Sequence, residues 1–479
     1  MDASLSNDDG LVDAAFLEKV LRGRLSEAEA RTFAAAGAEI IAFTMLALTQ
    51  RVAGQQAAGP NTPSAAVPPY AKPTASPRKG QRRRGGQKGH PGVTRPPLPE
   101  PDRRRELQLD CCPECQGKLQ RTGDTRTRRS EDIPDGLKPV ITEDILHRDY
   151  CPTCKKRVEP KPPDVLPNCT LGNRTLVLSA VLHYLQGLTI SQIVDTFNFH
   201  LRMKVTPGGL MQMWHRLATL LFAWYVQIQA ECLDSARLNA DETGWRVQGK
   251  THWLWCFAGP DATFYMIDRS RGSPALQKFF TKAFEGVLIT DFWSPYDAIV
   301  CADKQKCWPH LLRDMANVDE KHAGDKVWQS FARRVISVYR EAKKLHAAKA
   351  TTAAVDYDIA AMRLESRLAT IAGEAWNHPD AARLAKRLAK YGDQLLTFLW
   401  HDDIPSDNNH GERQIRPAVM IRKNSYGNHS DRGMLTQSVL MTIFRTLKLR
   451  NQQPLETILE ALANYAKTGK IPPLPQKAE

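Results

Sequence analysis

Leu288-Ile289-Thr290-Asp291-Phe292-Trp293-Ser294-Pro295-Tyr296 is the stretch on which the reading of the fold turns. The apolar run Val287, Leu288, Ile289 predicts a buried β-strand, and Asp291 stands just past its end. Ser294 and Pro295 then predict a helix start, because Ser caps well and Pro suits the first helical turn. A carboxylate at the C-terminal end of a strand lies at the rim of a sheet, where open α/β folds place their chemistry. One such Asp is more often a turn residue or a cap. Its meaning depends on partners elsewhere in the chain.

Upstream, Leu238–Trp245, Thr251–Ala258 and Ala262–Asp268 read as three strands joined by turns at Gly249 and Gly259-Pro260, an antiparallel meander. A helix from Pro274 to Phe284 leads into the strand that ends at Asp291, and Lys306-Cys307-Trp308 reads as a further strand after the next helix. The order β-β-β-α-β-α-β is that of a ribonuclease-H-like core. In that order the first and fourth strands are neighbours, so Asp241 and Asp291 can meet across a separation of 291 − 241 = 50 residues. The third acid for a two-metal site is Glu412, in Ser406-Asp407-Asn408-Asn409-His410-Gly411-Glu412-Arg413-Gln414-Ile415-Arg416. Asp407 or Asn408 caps this short helix, Pro417 limits it, and Glu412 and Arg416 share a face at i, i+4, where a plain surface ion pair is the competing reading. Cys307-x-x-His310 has ligand spacing but no second pair beside it, so a structural or DNA-positioning role is expected there.

Two knuckles, Cys112-Pro113-Glu114-Cys115 and Cys151-Pro152-Thr153-Cys154, supply four thiolates, the ligand set of a closed structural zinc site. Hairpin features, including Ile141, Ile145 and the Pro134-Asp135-Gly136 turn, lie between them. The formal net charge is +14 and the pI about 9.3, which makes a polyanion the natural partner. Lys72 to Arg105 holds 11 Lys/Arg against Glu100 and Asp102. Within it Arg82, Arg83, Arg84 and Lys88 flank flexible glycines and suit phosphate or minor-groove contact. Ten cysteines in so long a chain do not make a secreted disulfide framework. No signal peptide opens the sequence, and the most apolar window, Thr32–Thr49, carries Glu39 and lacks anchors, so a cytoplasmic protein without a membrane span is expected.

Together ADETGW, TDFWSPY, CWPHLLRD and DNNHGERQIRP, with RRRGGQKGHPG and the paired knuckles ahead of them, resemble the insertion sequence 66 family of DDE transposases over about residues 80 to 470. This chain differs in having Phe292-Trp293 where the family commonly has a Gly, and in lacking the usual Arg pair after His310. The resemblance implies that Asp241, Asp291 and Glu412 bind two Mg²⁺ or Mn²⁺ ions per active site, with structural Zn²⁺ on Cys112, Cys115, Cys151 and Cys154. It implies cutting of element ends and joining of 3′-hydroxyls to target DNA by two-metal phosphoryl transfer. Arg413, Arg416, Arg422 and Lys423 are then DNA-binding, and Cys307, His310, Asn408 and Asn409 are supporting residues.

The expected fold class is α/β, a ribonuclease-H-like catalytic core with a helical insertion, preceded by a zinc-ribbon-like module and helical N-terminal segments. Residues 1–55 are helical, a coiled coil or a hairpin packed on its own protein, and 56–105 a basic Pro/Gly/Arg-rich linker. The zinc module spans 106–165. A helical segment at 170–232 is either a helix-turn-helix or a plain helical hairpin. The core runs over 236–317 and 403–450 around an insertion at 318–402, and 451–479 is a C-terminal helix and tail. Expected partners are double-stranded DNA (terminal inverted repeats and target), further copies of the chain and accessory proteins of the same element, at the bacterial nucleoid. The alternatives are a zinc-containing DNA-binding regulator or inactive transposase derivative, and a ribonuclease-H-like nuclease.

Overall fold

The computed structural model describes residues 137–477 apart from 148, 154, 159–161, 168 and 323, together with residues 35 and 100. The N-terminal helical segment, Arg82, Arg83, Arg84, Lys88, Cys112, Cys115 and Cys154 therefore lie outside the described residues. The backbone of Cys151 ends β1 (Asp149–Cys151), which pairs antiparallel with β2 (Lys156–Val158) in the register Cys151↔Lys156. Pro152, Thr153 and Lys155 thus lie in the turn of a hairpin. The strand features expected around Ile141 and Ile145 are absent: residues 137–147 have no regular structure, and both side chains are exposed.

Helices α1 (Asn173–Tyr184), α2 (Ile190–Asp195), α3 (Pro207–Leu220) and α4 (Phe222–Leu233) follow. Thr206 caps α3 as its sequence requires, its side chain accepting from the Gly209 N–H at 3.2 Å, with Pro207 in the first turn. The chain divides into two compact units, the smaller being Pro73–Glu143 with Val194–Val205. In the latter segment Asn198 closes a loop by accepting from the Val205 N–H (2.7 Å) and donating to its carbonyl (2.8 Å).

The larger unit is built on a five-stranded sheet in the order β5-β4-β3-β6-β7. β3 (Arg237–Val247), β4 (Lys250–Ala258) and β5 (Thr263–Asp268) form the expected antiparallel meander. α5 (Ser273–Phe279) ends earlier than expected, and β6 starts at Phe284 and runs to Thr290. The aromatic run through Phe279, Phe280 and Phe284 is equally apolar for helix or strand, and Phe280 leaves the helix at φ −84°, ψ 83°. β6 pairs parallel with both β3 and β7 (Cys301–Lys306). The last expected strand therefore ends at Lys306, and Cys307 caps the next helix. The turn opened by Ser294 and Pro295 is a short 3-10 helix, Ser294–Ala298.

α6 (Trp308–Lys321), α7 (Lys326–Ala347), α8 (Ala354–Gly373) and α9 (Pro379–Leu396) make the helical insertion. Tyr357, Ala361, Leu364, Leu368 and Ile371 are the buried stripe of α8, at helical spacing. Ile359 and Met362 of the same helix are on the outer side and exposed. The insertion shares its core with the sheet through Val287, Ile289 and Phe292. Its two ends are joined: the Trp308 N–H donates to the Ser406 carbonyl at 3.0 Å, and the Asn408 N–H to Cys307 Sγ at 3.2 Å.

The chain then returns to the sheet through α10 (Asn409–Ser425), α11 (Asp431–Leu449) and α12 (Pro454–Thr468). Pro417 does not limit α10; it lies inside the helix, which packing on β3 and β4 sustains past the lost backbone donor. α11 grips the edge strand β5 with hydroxyls, Thr442 accepting from the Tyr265 N–H (2.9 Å) and Thr446 from the Thr263 N–H (3.1 Å). Between α10 and α11, Gly427 sits at φ +113° with its Cα against the Arg246 carbonyl, where a Cβ would come within 2.2 Å. Gly427→Ala should destabilise the fold by about 1–3 kcal/mol through left-handed backbone strain alone, with the clash in addition. Urea unfolding followed by circular dichroism reads this as a lower midpoint at unchanged slope.

Candidate active site

The parallel register Arg237↔Val287, Leu238↔Leu288, Asn239↔Ile289 sets the geometry of the first two acids. Continued by two residues it brings Asp241 level with Asp291 on adjacent strands about 4.8 Å apart. Glu412 arrives on the first turn of α10, which packs on β3 and β4. Burial raises the Asp241 carboxyl well above the usual range, and the charges of Glu242, Asp291 and Glu412 push it further in the same direction. Asp291 and Glu412 therefore both act on Asp241, although the three come from distant parts of the chain. None of the principal influences on Asp241 is a cation.

Each acid is held by specific neighbours. Asp291 Oδ1 accepts from the Trp293 N–H (2.8 Å), which fixes the turn after β6. Lys306, fully buried, donates to the Asp291 carbonyl and to Thr290 Oγ1, both at 3.0 Å. Its charge is balanced by Asp297 at 3.4 Å, which Lys390 and Tyr391 of α9 hold at 2.7 Å each. Desolvation lowers the Lys306 pKa, and the charges of Asp297 and Asp291 oppose that.

Asn408 fastens Glu412. It stands at the expected cap position of α10, yet its side chain does not cap the helix. It accepts from Asn239 Nδ2 (2.8 Å) and donates to the Ala240 carbonyl (2.9 Å), joining the start of α10 to the strand that carries Asp241. Gly411 allows this approach, since a Cβ there would lie 2.8 Å from Asn408 Oδ1 and 3.2 Å from Asn239 Cβ. Asn409 is exposed and donates its backbone N–H to Asp407. The Glu412–Arg416 ion pair that helical spacing allows is not formed. Glu412 instead faces His310, with Oε1 3.8 Å from Nδ1. Cys307 completes this group: one ligand atom each from Cys307, His310 and Glu412 lie within 4.8 Å of one another. Burial pushes the Cys307 thiol up to about 12, which makes it inert as a nucleophile.

Glu242, Arg271, Tyr296 and Lys306 are absent from the sequence-based site. Glu242 is the neighbour of Asp241 in a strand, so it points to the opposite face. There Arg271 Nη2 pairs with it at 2.9 Å and the Tyr296 hydroxyl donates to it at 2.6 Å. The Arg271 guanidinium is layered between Trp253 (4.6 Å) and Trp293 (3.8 Å). Burial and the Asp291 charge raise the Glu242 pKa to about 7 despite these partners. A carboxylate after a strand-borne Asp, with an Arg and a Trp-rich turn nearby, is the only sequence signal for this cluster.

The expected DNA-contacting cations divide into two kinds. Arg413, Arg416 and Lys423 are exposed on α10. Arg422 is committed to the fold, donating to Thr243 Oγ1 (2.8 Å) and to the Gly244 carbonyl (2.6 Å), and burial lowers its pKa.

The arrangement gathers three carboxylates from two parallel strands and a returning helix. The chain belongs to the transposase IS66 family, whose profile matches residues 168–436. It is also similar to two proteins of Sinorhizobium fredii (strain NBRC 101917 / NGR234). It is 24% identical to the uncharacterized protein y4qI over 61% of this chain, and spans 59% of that protein's length. It is 23% identical to the uncharacterized protein y4jD, over 78% of each chain. Among the described residues no helix is long and apolar enough to cross a membrane.

Two outcomes follow from the electrostatics. Carboxyls with raised folded pKa values hold protons more tightly folded than unfolded, so their ionisation destabilises the fold as pH rises from the ordinary range toward the folded value. Without divalent cations the Tm should fall between about pH 5 and about pH 8, and Asp241→Asn should raise it by about 2 °C or more at the upper pH while flattening the profile. Lys306→Met should destabilise by about 1–3 kcal/mol, because Asp297 loses a partner and the Asp291 carbonyl a donor. Differential scanning fluorimetry over that pH range checks the first, and urea titration the second.

Proposed function

We propose that this chain is the DNA transposase of a bacterial insertion sequence, with a ribonuclease-H-like core whose acidic triad is Asp241, Asp291 and Glu412. The observation that carries the reading is the clustering of Asp241 with Glu242, Asp291 and Glu412 in a buried setting without a cation among its main influences. A protein fold accepts such repulsion where a divalent cation relieves it, and an all-oxygen donor set suits Mg²⁺ or Mn²⁺. Asp241, Asp291 and Glu412 would hold two such ions, whose positive charge would activate an attacking oxygen and stabilise a leaving oxygen at phosphorus.

The chain's own residues do the positioning. Lys306 and the Trp293 N–H fix Asp291, Asn408 fixes the first turn of α10, and Arg271 keeps Glu242 turned away from the triad. With Asp291 and Glu412 set against the β3 strand, the reacting groups need little reorganisation at the moment of transfer. Arg413, Arg416 and Lys423 are proposed to contact the phosphate backbone, where point charges position DNA without reading its sequence.

The four knuckle cysteines are proposed as a structural zinc set, and the basic 56–105 segment and the α2–α3 region as DNA-contacting parts ahead of the core. Element ends and target DNA are the proposed substrates, acted on by an oligomer of this chain.

Asp291→Asn, assayed with DNA carrying the element's terminal inverted repeats in Mg²⁺, should lose end cleavage and strand joining to background while binding of the ends persists. Cleavage at the wild-type rate by that variant would overturn the triad. Specific binding by the wild type with no metal-dependent nicking would favour the regulator, and hydrolysis without joining would favour a nuclease.

A further inference from the structure

Cys307, Trp308, Pro309 and His310 form the join between the sheet and the insertion, and their chemistry differs from that of the triad. Cys307 stands at the cap position of α6, and its side chain is fully buried. Its sulfur accepts the Asn408 backbone N–H at 3.2 Å, while the His310 N–H donates to the Cys307 carbonyl at 3.2 Å. A backbone donor aimed at sulfur favours charge on it. His310 Nδ1 is buried without a hydrogen-bond partner, so its lone pair or proton is open to a ligand. The atom it faces is Glu412 Oε1 at 3.8 Å. Sulfur, nitrogen and oxygen all fall within 4.8 Å of one another.

We infer that Cys307 Sγ, His310 Nδ1 and one Glu412 oxygen hold a single Zn²⁺ ion. Zinc takes sulfur, imidazole and carboxylate at about 2.0–2.3 Å, which spaces donor atoms about 3–4 Å apart around a tetrahedron. The His310–Glu412 separation already has that value, and the rest closes by side-chain rotation. Magnesium does not select this set, because it prefers oxygen ligands and resists losing its waters. Coordination replaces the thiol proton, which passes to solvent, and three protein ligands leave one position open. The ion ties the third acid to the first turn of α6, so the orientation of Glu412 depends on the join between sheet and insertion. Zinc binding at these three residues stands apart from the triad reading; only that consequence for catalysis rests on it.

The test is metal content of the full-length protein by inductively coupled plasma mass spectrometry after purification without added metal. Cys307→Ser and His310→Ala should each lose one equivalent of zinc relative to the wild type, whatever number the four knuckle cysteines bind. Asp291→Asn should lose none. With Co²⁺ replacing zinc, the thiolate charge-transfer absorption should drop in Cys307→Ser by the share of one thiolate. His310→Ala leaves the Cys307–Asn408 contact intact and serves as the folded control, checked by circular dichroism. Full zinc content in folded His310→Ala would overturn the inference. A drop in that variant, alongside absence of any DNA cleavage by the wild type, would leave the zinc site standing and remove the transposase reading instead.

Discussion

Asn408 joins the parts of the chain from which the acidic cluster is drawn. Its side chain binds the central strand at Asn239 and Ala240, and its backbone N–H meets the Cys307 sulfur beyond β7. Without this clasp the first turn of α10 would lose its direct hydrogen bonds to the central strand, and apolar packing, which is not directional, would not replace them. Hydrogen bonds inside a low-dielectric interior are directional and costly to leave unmade, so they fix the register of helix against strand. Arg422 and Asn428 perform the same service at the far end. Arg422 reaches Thr243 and Gly244, while Asn428 pairs with the Val247 end of β3. Glu412 is carried on a helix pinned at both ends.

The surrounding structure explains how four acids can be kept together. Their mutual repulsion opposes folding, and the protein answers it from behind rather than by placing cations among the triad. Lys306 lies beneath the Asp291 backbone, balanced by Asp297 and, through it, by α9. Arg271, held between two indoles, neutralises Glu242 on the opposite face of β3. Stability is thus invested in positioning groups that oppose one another, the usual sign of a functional rather than a structural cluster.

The sequence made the strands legible because their apolar and aromatic runs are bounded by glycine turns; of the candidate acids, Asp291 stands just past a strand end and Glu412 in a first helical turn, while Asp241 lies inside β3. The α5 boundary was not legible, since Phe279, Phe280 and Phe284 fit a helix or a strand equally well. Pro417 read as a helix stop because local propensity ignores the support of packing on the sheet. Nothing in the sequence around Lys306 marks it as buried; only the tertiary fold encloses it. Asn408 reads as a cap and is a strand clasp, and Arg422, expected at phosphate, also braces β3 through Thr243 and Gly244. In each case a short polar side chain or a long cation has several partners available locally, and distance in space decides among them. The N-terminal segments and three of the four knuckle cysteines lie outside the described residues.

The joined ends of the helical insertion have a consequence for how this protein can change over time. The backbone leaves the sheet at Trp308 and returns at Ser406 across one hydrogen bond, so the whole helical excursion hangs from a sewn neck. Lengthening or shortening its distant turns, at 348–353 or 374–378, alters a lobe without moving the stitch. Lineages can therefore remodel that lobe for new partners while the carboxylates stay where they are. Mutations that cut the stitch have no such freedom, because they loosen the lobe and the acid together.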